Sequence, residues 1–212
     1  VKIVGDDLHP IGKVKDFAPY VAKMVAAKAD TVITGSWGSD LSLLLKAARE
    51  AGLKAKFYTF YASSPGAPAA MGAAGDGRVL QVADWHINAA SGDGLALALA
   101  LRKRNPPTEL YLPRGTTMIG MLAKAMEQAR STDPKLVATA LEDLRYNAVN
   151  GEVWMRRADH QLIQPLNLSV FTKVDGKAVK YDSEGTGFGF KTVASLSARD
   201  TQMPTTCIME RP

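Results

Sequence analysis

Apolar side chains recur at two spacings along residues 16–86, and the spacing switches several times. Phe17, Val21, Met24 and Val25 fall at helical intervals and predict a helix over 17–28. Asp16 is placed to cap it, and Pro19 falls in its first turn, where proline is tolerated. Residues 30–34 form a short apolar run that reads as a strand. Leu41, Leu44, Leu45 and Ala48 make a second helical stripe, predicting a helix over 40–51 that stops at Gly52, a residue suited to the position after a helix end. Residues 54–58 read as a strand, Pro65 leads into a small-residue helix through Ala74, and residues 79–83 read as a strand ending at Asp84-Trp85-His86. Strands alternating with helices at such short intervals predict an α/β fold of parallel strands joined by right-handed crossovers. Val1-Lys2-Ile3-Val4 reads as a further buried strand, and Gly5 to Lys15 as a loop with Pro10 and Gly12.

The rhythm changes after Asn88. The run from Gly94 to Arg104 is apolar almost all round, so a helix there is expected to be buried on most sides. Asn105-Pro106-Pro107 breaks it. A long helix is expected over 109–130, with an interruption near Pro113-Arg114-Gly115. Asp133-Pro134 opens another, expected to reach Leu144. From Gly151 the pattern is β-like: 152–156, then 166–173, a turn at Asp175-Gly176, and 178–181. The stretch from Ser195 to Pro212 shows no strong period. Composition shifts near 86–92 and near 164–167, so a helical middle block lies between an α/β block and a β block. A chain that leaves one domain and later returns to it has this pattern.

Composition narrows the function classes. The chain has 212 residues, and 46% of them are hydrophobic, enough for a packed core and too many for a disordered chain. The formal charge is +5, but Lys and Arg are scattered, whereas a nucleic-acid binder clusters them. The one dense run, Arg102-Lys103-Arg104, suits a helix C-terminus, where cations complement the dipole. Cys207 is the single cysteine and has neither a second cysteine nor a histidine at metal-ligand spacing. It reads as a free thiol or as half of a bridge to a cysteine outside this sequence. No apolar run reaches the ~18 residues of a membrane helix, and no basic-then-apolar leader precedes the first block. Opening on a strand-like run at Val1, the chain reads as a processed product or a fragment.

Catalytic motifs are missing: there is no Gly-x-Ser-x-Gly elbow, no phosphate-binding Walker loop and no His-Glu-x-x-His. Gly185-Thr186-Gly187-Phe188-Gly189 lacks dinucleotide-loop spacing and reads as a β-turn. Asp6, Asp7 and His9 could share a cation but read more simply as a polar loop. Asp84 and His86 could pair as acid and base, yet no nucleophile accompanies them.

A different constellation remains. Three strand ends carry aromatic and hydroxyl residues: Ser36-Trp37, the run Tyr58 to Ser64 with Thr59 and Tyr61, and Trp85-His86. In a parallel sheet these ends share one edge, where open α/β folds hold small ligands. Aromatic walls with a few hydroxyls suit a small organic molecule. Ser36, Trp37, Thr59, Tyr61 and Trp85 are therefore the candidate ligand-binding residues, with no catalytic residue and no cofactor.

The stretch DFAPYVAKMVAAKADTVITGSWGSDLSLLLKAAREAGL, together with VGDD, GTTMIGMLAKAMEQA, ALEDLRYNAVNGEVWMRRADHQLIQPL, YDSEGTGFGF and PTTCIMERP, resembles the periplasmic substrate-binding proteins of the branched-chain amino acid type that serve ABC importers. The resemblance implies a type I periplasmic binding fold, with two α/β lobes and ligand in the cleft between them. By it, residues 1–86 and 167–212 correspond to lobe two, and 87–166 to a return segment of lobe one, whose N-terminal part lies outside this sequence. It implies a periplasmic protein with no enzymatic activity, partnered by a small-molecule ligand and a membrane permease. Hinge closure would act through 84–88 and 164–167. Trp37 matches the family's aromatic ligand contact; the family's acidic contact falls on or beside Tyr61, and no Asp or Glu lies between Lys56 and Asp76. An α-ammonium would lose its charge-assisted partner there, so a carboxylate or amide, aromatic ones included, enters beside an amino acid. The same lobes could serve a sensory ligand-binding module, or an amidase-like enzyme if a nucleophile–base pair stood in the cleft.

Overall fold

The order of strands in the main sheet is decided by two successive crossovers between parallel strands and one late return of the chain. The computed structural model describes residues 1–105 and 112–210. Its elements are α1 (Ala18–Ala26), β1 (Thr31–Thr34), α2 (Gly38–Glu50), β2 (Lys56–Thr59), α3 (Ala67–Met71), β3 (Val79–Ala83), α4 (Gly92–Arg104), α5 (Leu112–Ala129), α6 (Pro134–Leu141), β4 (Arg145–Ala148), β5 (Gly151–Met155), β6 (Leu162–Ile163), β7 (Leu166–Lys173) and β8 (Phe188–Leu196). β1, β2 and β3 pair in parallel, as the alternation predicts, with Thr34 beside Thr59 and Thr59 beside Gln81. β7 then adds antiparallel to β3, and β8 antiparallel to β7, giving the five-stranded order β1-β2-β3-β7-β8. The sheet is therefore mixed rather than wholly parallel.

The helical stripes bury as the spacing predicts. Leu41, Leu44, Leu45 and Ala48 of α2 join Phe17 and Val21, Phe57 of β2, Met71, Phe171 of β7 and Phe190 of β8 in one core. α1 begins one residue later than expected, and Asp16 accepts from the Ala18 amide. Asp133 caps α6 through the Lys135 and Leu136 amides, but this helix ends at Leu141 rather than Leu144, because residues from Arg145 are drawn into β4. β4, β5 and β6 form a separate three-stranded sheet. It packs with α5 and α6 through Met121, Ala125, Val137, Leu144 and Val153.

Several expectations are corrected. Val1–Val4 forms no strand, and Val1, Ile3 and Val4 are exposed; a strand needs a neighbour, and among the described residues nothing pairs with β1 on the side away from β2. Residues 178–181 are not a strand either. Three of their amides are taken by side chains: Asp175 accepts from Val179, and Asn88 from Lys180 and Tyr181. β8 was not foreseen, and it starts within the glycine run read as a turn. α5 passes Gly115 unbroken, while residues 109–111 of the expected helix lie outside the described residues. α4 is covered on one side only: Gly94 and Ala98 are buried, whereas Leu97 and Leu99 are 39% and 38% exposed. The middle block is thus helical only as far as α6.

Gly189 is needed for close approach. A Cβ there would overlap the Tyr181 carbonyl oxygen and stand 3.0 Å from Val179 Cγ1 and 3.1 Å from Asn88 Nδ2. Asn88 Nδ2 donates to that same carbonyl at 2.8 Å, so the loop cannot give way without losing the bond. Gly189→Ala is expected to destabilise by about 1–3 kcal/mol, read as a lower urea midpoint at unchanged slope.

Candidate functional site

The registers place three loop tips beyond one sheet edge. β1, β2 and β3 run the same way, so Gly35–Gly38, Phe60–Ser64 and Asp84–His86 all follow C-terminal strand ends. Because β7 is antiparallel, its first residues return to that edge: Asn167 stands opposite Ala83, and Ser195 of β8 opposite Asn167. Ser195 Oγ donates to Asn167 Oδ1 at 2.8 Å. No local pattern announces Asn167 and Ser195 as rim residues, because only the direction of β7 and β8 brings them there.

Of the five candidates, two lie open on the rim. Trp37 is 57% exposed and stands at the N-cap of α2 with extended backbone, although tryptophan has no acceptor to cap a helix. Tyr61 is 36% exposed, and its ring stands edge-on to Phe60, itself exposed, with centroids 6.4 Å apart. Phe60 is thus a third open aromatic at the edge.

The hydroxyls of Ser36 and Thr59 are spent inside the protein. Ser36 is buried; its Oγ accepts from Thr34 Oγ1 at 2.9 Å and bonds His9 Nε2 at 3.0 Å. Thr59 Oγ1 accepts the Tyr61 amide at 3.1 Å, which tightens the turn that projects the phenol. The same loop is anchored further along by a fully buried glutamine of β3, since Gln81 Oε1 accepts the Ser63 amide. Glu184, far away in sequence, accepts from the Gly66 and Ala69 amides and fixes the start of α3.

Trp85 is packed away from the rim. It is buried against Ile87 and Ala98, with Leu95, Leu101 and Tyr181 around them. Its neighbours are committed too. Asp84 is buried and accepts from Arg114 Nε and Nη2, both at 3.3 Å, while Asn150 Nδ2 donates to its carbonyl. His86 Nε2 bonds Thr192 Oγ1 at 2.8 Å, and burial pushes its imidazole down to about 4, so it is neutral near pH 7. Asp84 and His86 therefore serve different partners and do not form an acid–base pair.

Among the described residues no three His, Cys, Asp or Glu side chains gather as a metal site, and Asp7 is engaged instead by Lys23 Nζ at 2.6 Å. Cys207 is exposed and unbridged. No described helix is long and apolar enough to cross a membrane.

An α/β unit that turns exposed aromatic loop tips to one strand-end edge has the build of the small-ligand-binding α/β proteins. The chain belongs to the periplasmic binding protein family, whose sequence pattern matches residues 1–177. It is 32% identical over 218 residues to Leu/Ile/Val-binding protein homolog 4 of Brucella abortus (strain 2308), covering 100% of this chain and 51% of the relative. The chain thus spans about half the length of the curated relatives it matches. The leucine-, isoleucine-, valine-, threonine- and alanine-binding protein of Brucella ovis, solved in a closed conformation, superposes with a TM-score of 0.86 at 31% identity, over 100% of this chain and 55% of that one. A solute-binding protein of an ABC transporter from Rhodopseudomonas palustris HaA2, solved with p-hydroxybenzoic acid, shares the fold at a TM-score of 0.70 and 19% identity, over 88% of this chain and 50% of that one. The fold is that of the type I periplasmic binding proteins, and this chain is part of one.

Proposed function

We propose that the full-length protein is the extracytoplasmic, periplasmic solute-binding component of an ABC importer, and that it binds its ligand without chemical turnover. The observation that carries this reading is the set of exposed aromatics, Trp37, Phe60 and Tyr61, on successive strand-end loops of one sheet edge. Two relatives at about the same distance are named for binding branched-chain and other small amino acids, which makes that ligand class the first to test. The stretch between Lys56 and Asp76 holds no carboxylate to pair with an ammonium, which keeps small amides and carboxylates, aromatic ones included, in the tested set.

In this reading residues 1–86 and 167–212 form one lobe, and 87–166 return to the other. Support comes from β7 and β8, which rejoin the sheet of β1 to β3, while residues 145–163 build a sheet of their own. Residues 84–88 and 164–167 would be the hinges, and the ligand would favour the closed state because both lobes touch it only there. A permease in the membrane would read that closure.

Native mass spectrometry of the full-length mature protein should reveal a co-purified small molecule. Trp37→Ala should weaken its retention by about tenfold or more, the scale of losing one stacked aromatic wall. Melting should hardly change, because the indole is mostly exposed. Unchanged retention would remove Trp37 from the site, and detectable hydrolysis of an amide panel would replace binding with catalysis.

A further inference from the structure

The tryptophan at the rim stands between two local anchors: Thr34 Oγ1 accepts the Ser36 amide at 3.1 Å, and Ser42 Oγ donates to the Gly38 carbonyl at 3.1 Å. Gly35 precedes Ser36, Gly38 follows Trp37 at φ +56°, and the N-cap position of α2 receives no side-chain hydrogen bond. Further restraints come from the loop before α1. His9 Nε2 bonds Ser36 Oγ at 3.0 Å, and His9 Nδ1 faces Asp40 Oδ2 at 3.8 Å. Asp40 lies in the first turn of α2, and the same Oδ2 accepts the Gly12 amide at 2.8 Å. One loop therefore grips the chain on both sides of Trp37. The grip is buried and seated on rings: Ser36 and Asp40 are 8% and 4% exposed, and the imidazole stands edge-on to Phe17 at 5.0 Å and to Tyr20 at 6.0 Å.

A serine, a histidine and an aspartate in sequence suggest a nucleophile relay, but the distances oppose it. Asp40 is beyond hydrogen-bond reach of Nδ1 and is bonded to Gly12 instead, while Ser36 Oγ is buried and already accepts from Thr34. The contacts fit a clamp. His9 Nε2 bonds Ser36 Oγ, while the buried Nδ1 has no hydrogen-bond partner and meets the carboxylate only at ion-pair distance.

The geometry points to His9 and Asp40 as positioning residues: with the Gly12 amide they clamp the 34–40 turn and pre-set the Trp37 indole for ligand. This rests on the reading of Trp37 as a ligand contact. Loosening the clamp lowers the fraction of molecules with the indole in place, and apparent affinity falls by that fraction.

The test uses full-length protein labelled with 5-fluorotryptophan, the Trp37 resonance being the one lost in Trp37→Phe. His9→Phe keeps a ring against Phe17 and Tyr20 but removes both nitrogens. It is expected to broaden or split the Trp37 fluorine resonance, leave the other tryptophan resonances unchanged, and weaken binding of the probe L-leucine by about 3–10-fold. His9→Gln, which restores a polar partner for Ser36, should recover much of both. Should His9→Phe disturb folding, Ser36→Ala removes the link by one oxygen and should still broaden Trp37. A single sharp Trp37 resonance in whichever variant folds overturns the clamp. Wild-type protein that ignores L-leucine, with Trp37 nonetheless broadened in the variant, sinks the amino-acid ligand and keeps the clamp.

Discussion

Phe171→Ala should cost about 3–5 kcal/mol, the range for removing a fully buried aromatic ring. Phe171 is 0% exposed in β7, directly opposite Phe190 of β8. Its ring stacks on Phe188 at 5.6 Å and tilts against Phe190 at 5.4 Å. It also closes the bottom of the main core, where a Cβ on Gly75 would come within 3.1 Å of its ring. Truncation leaves a cavity whose walls cannot collapse, because β8 on one side and the Gly72–Gly75 turn on the other are held by their own hydrogen bonds. Chemical denaturation should show a lower midpoint with the slope retained, and Phe171→Leu should lose less than half as much. An alanine variant within 1 kcal/mol of wild type would mean that the β7–β8 pair is not integral to this core.

The second large effect depends on acidity. His86 is buried beside Phe190, with Nε2 on Thr192 and Nδ1 without a hydrogen-bond partner, and burial lowers it from 6.5 to about 4. The neutral ring is the form the fold accepts. Above pH 6.5 both folded and unfolded chains keep it neutral, so stability gains nothing further from this group. Below 6.5 the unfolded chain takes up a proton that the folded chain refuses, and stability falls until the pH reaches about 4, where the folded form titrates too. The loss across that window is roughly 3 kcal/mol. His86→Gln keeps a partner for Thr192 and cannot titrate. The difference in unfolding free energy between wild type and His86→Gln should therefore shift by that amount from pH 7 to pH 4, after carboxylate titrations common to both cancel. Parallel pH curves for the two proteins would show that water reaches His86 readily.

Much of the fold was legible where local pattern and tertiary burial agree. The stripe Leu41, Leu44, Leu45, Ala48 is the buried face of α2, and the expected strands at 79–83 and 166–173 match β3 and β7. Legibility failed where pairing rather than pattern makes the element. β8 shows little alternation, being buried at Gly189 and Phe190 and mostly exposed beyond them, and its strand form comes from eight register partners on β7. The reverse holds for Val1–Val4 and for 178–181, which have apolar, β-prone residues but no strand beside them to pair with; in 178–181 side chains take the amides instead. Apolarity all round α4 predicted a fully buried helix, yet only Gly94 and Ala98 find cover.

The candidate site divides in the same way. Trp37 and Tyr61 could be found by reading strand ends, since a parallel strand must end at the edge where its crossover begins. Residue type alone could not separate Trp37 from Trp85, one exposed at the rim and the other sealed against Ile87 and Ala98. Nor could it show that the hydroxyls of Ser36 and Thr59 are turned inward to His9 and to the Tyr61 amide.

By itself the sequence determined the alternation of β1 to β3 with their helices, and through it the edge on which the strand-end loops must lie, because periodicity and turn residues act over a few neighbours. Only the tertiary structure decided that β7 runs antiparallel and brings Asn167 and Ser195 to that edge, that Arg114 reaches Asp84, and that the His9 loop closes on the Trp37 turn. Those contacts join residues far apart along the chain. Their free energy comes from burial and hydrogen bonds made after the chain has folded back on itself, and no window of local sequence contains both partners.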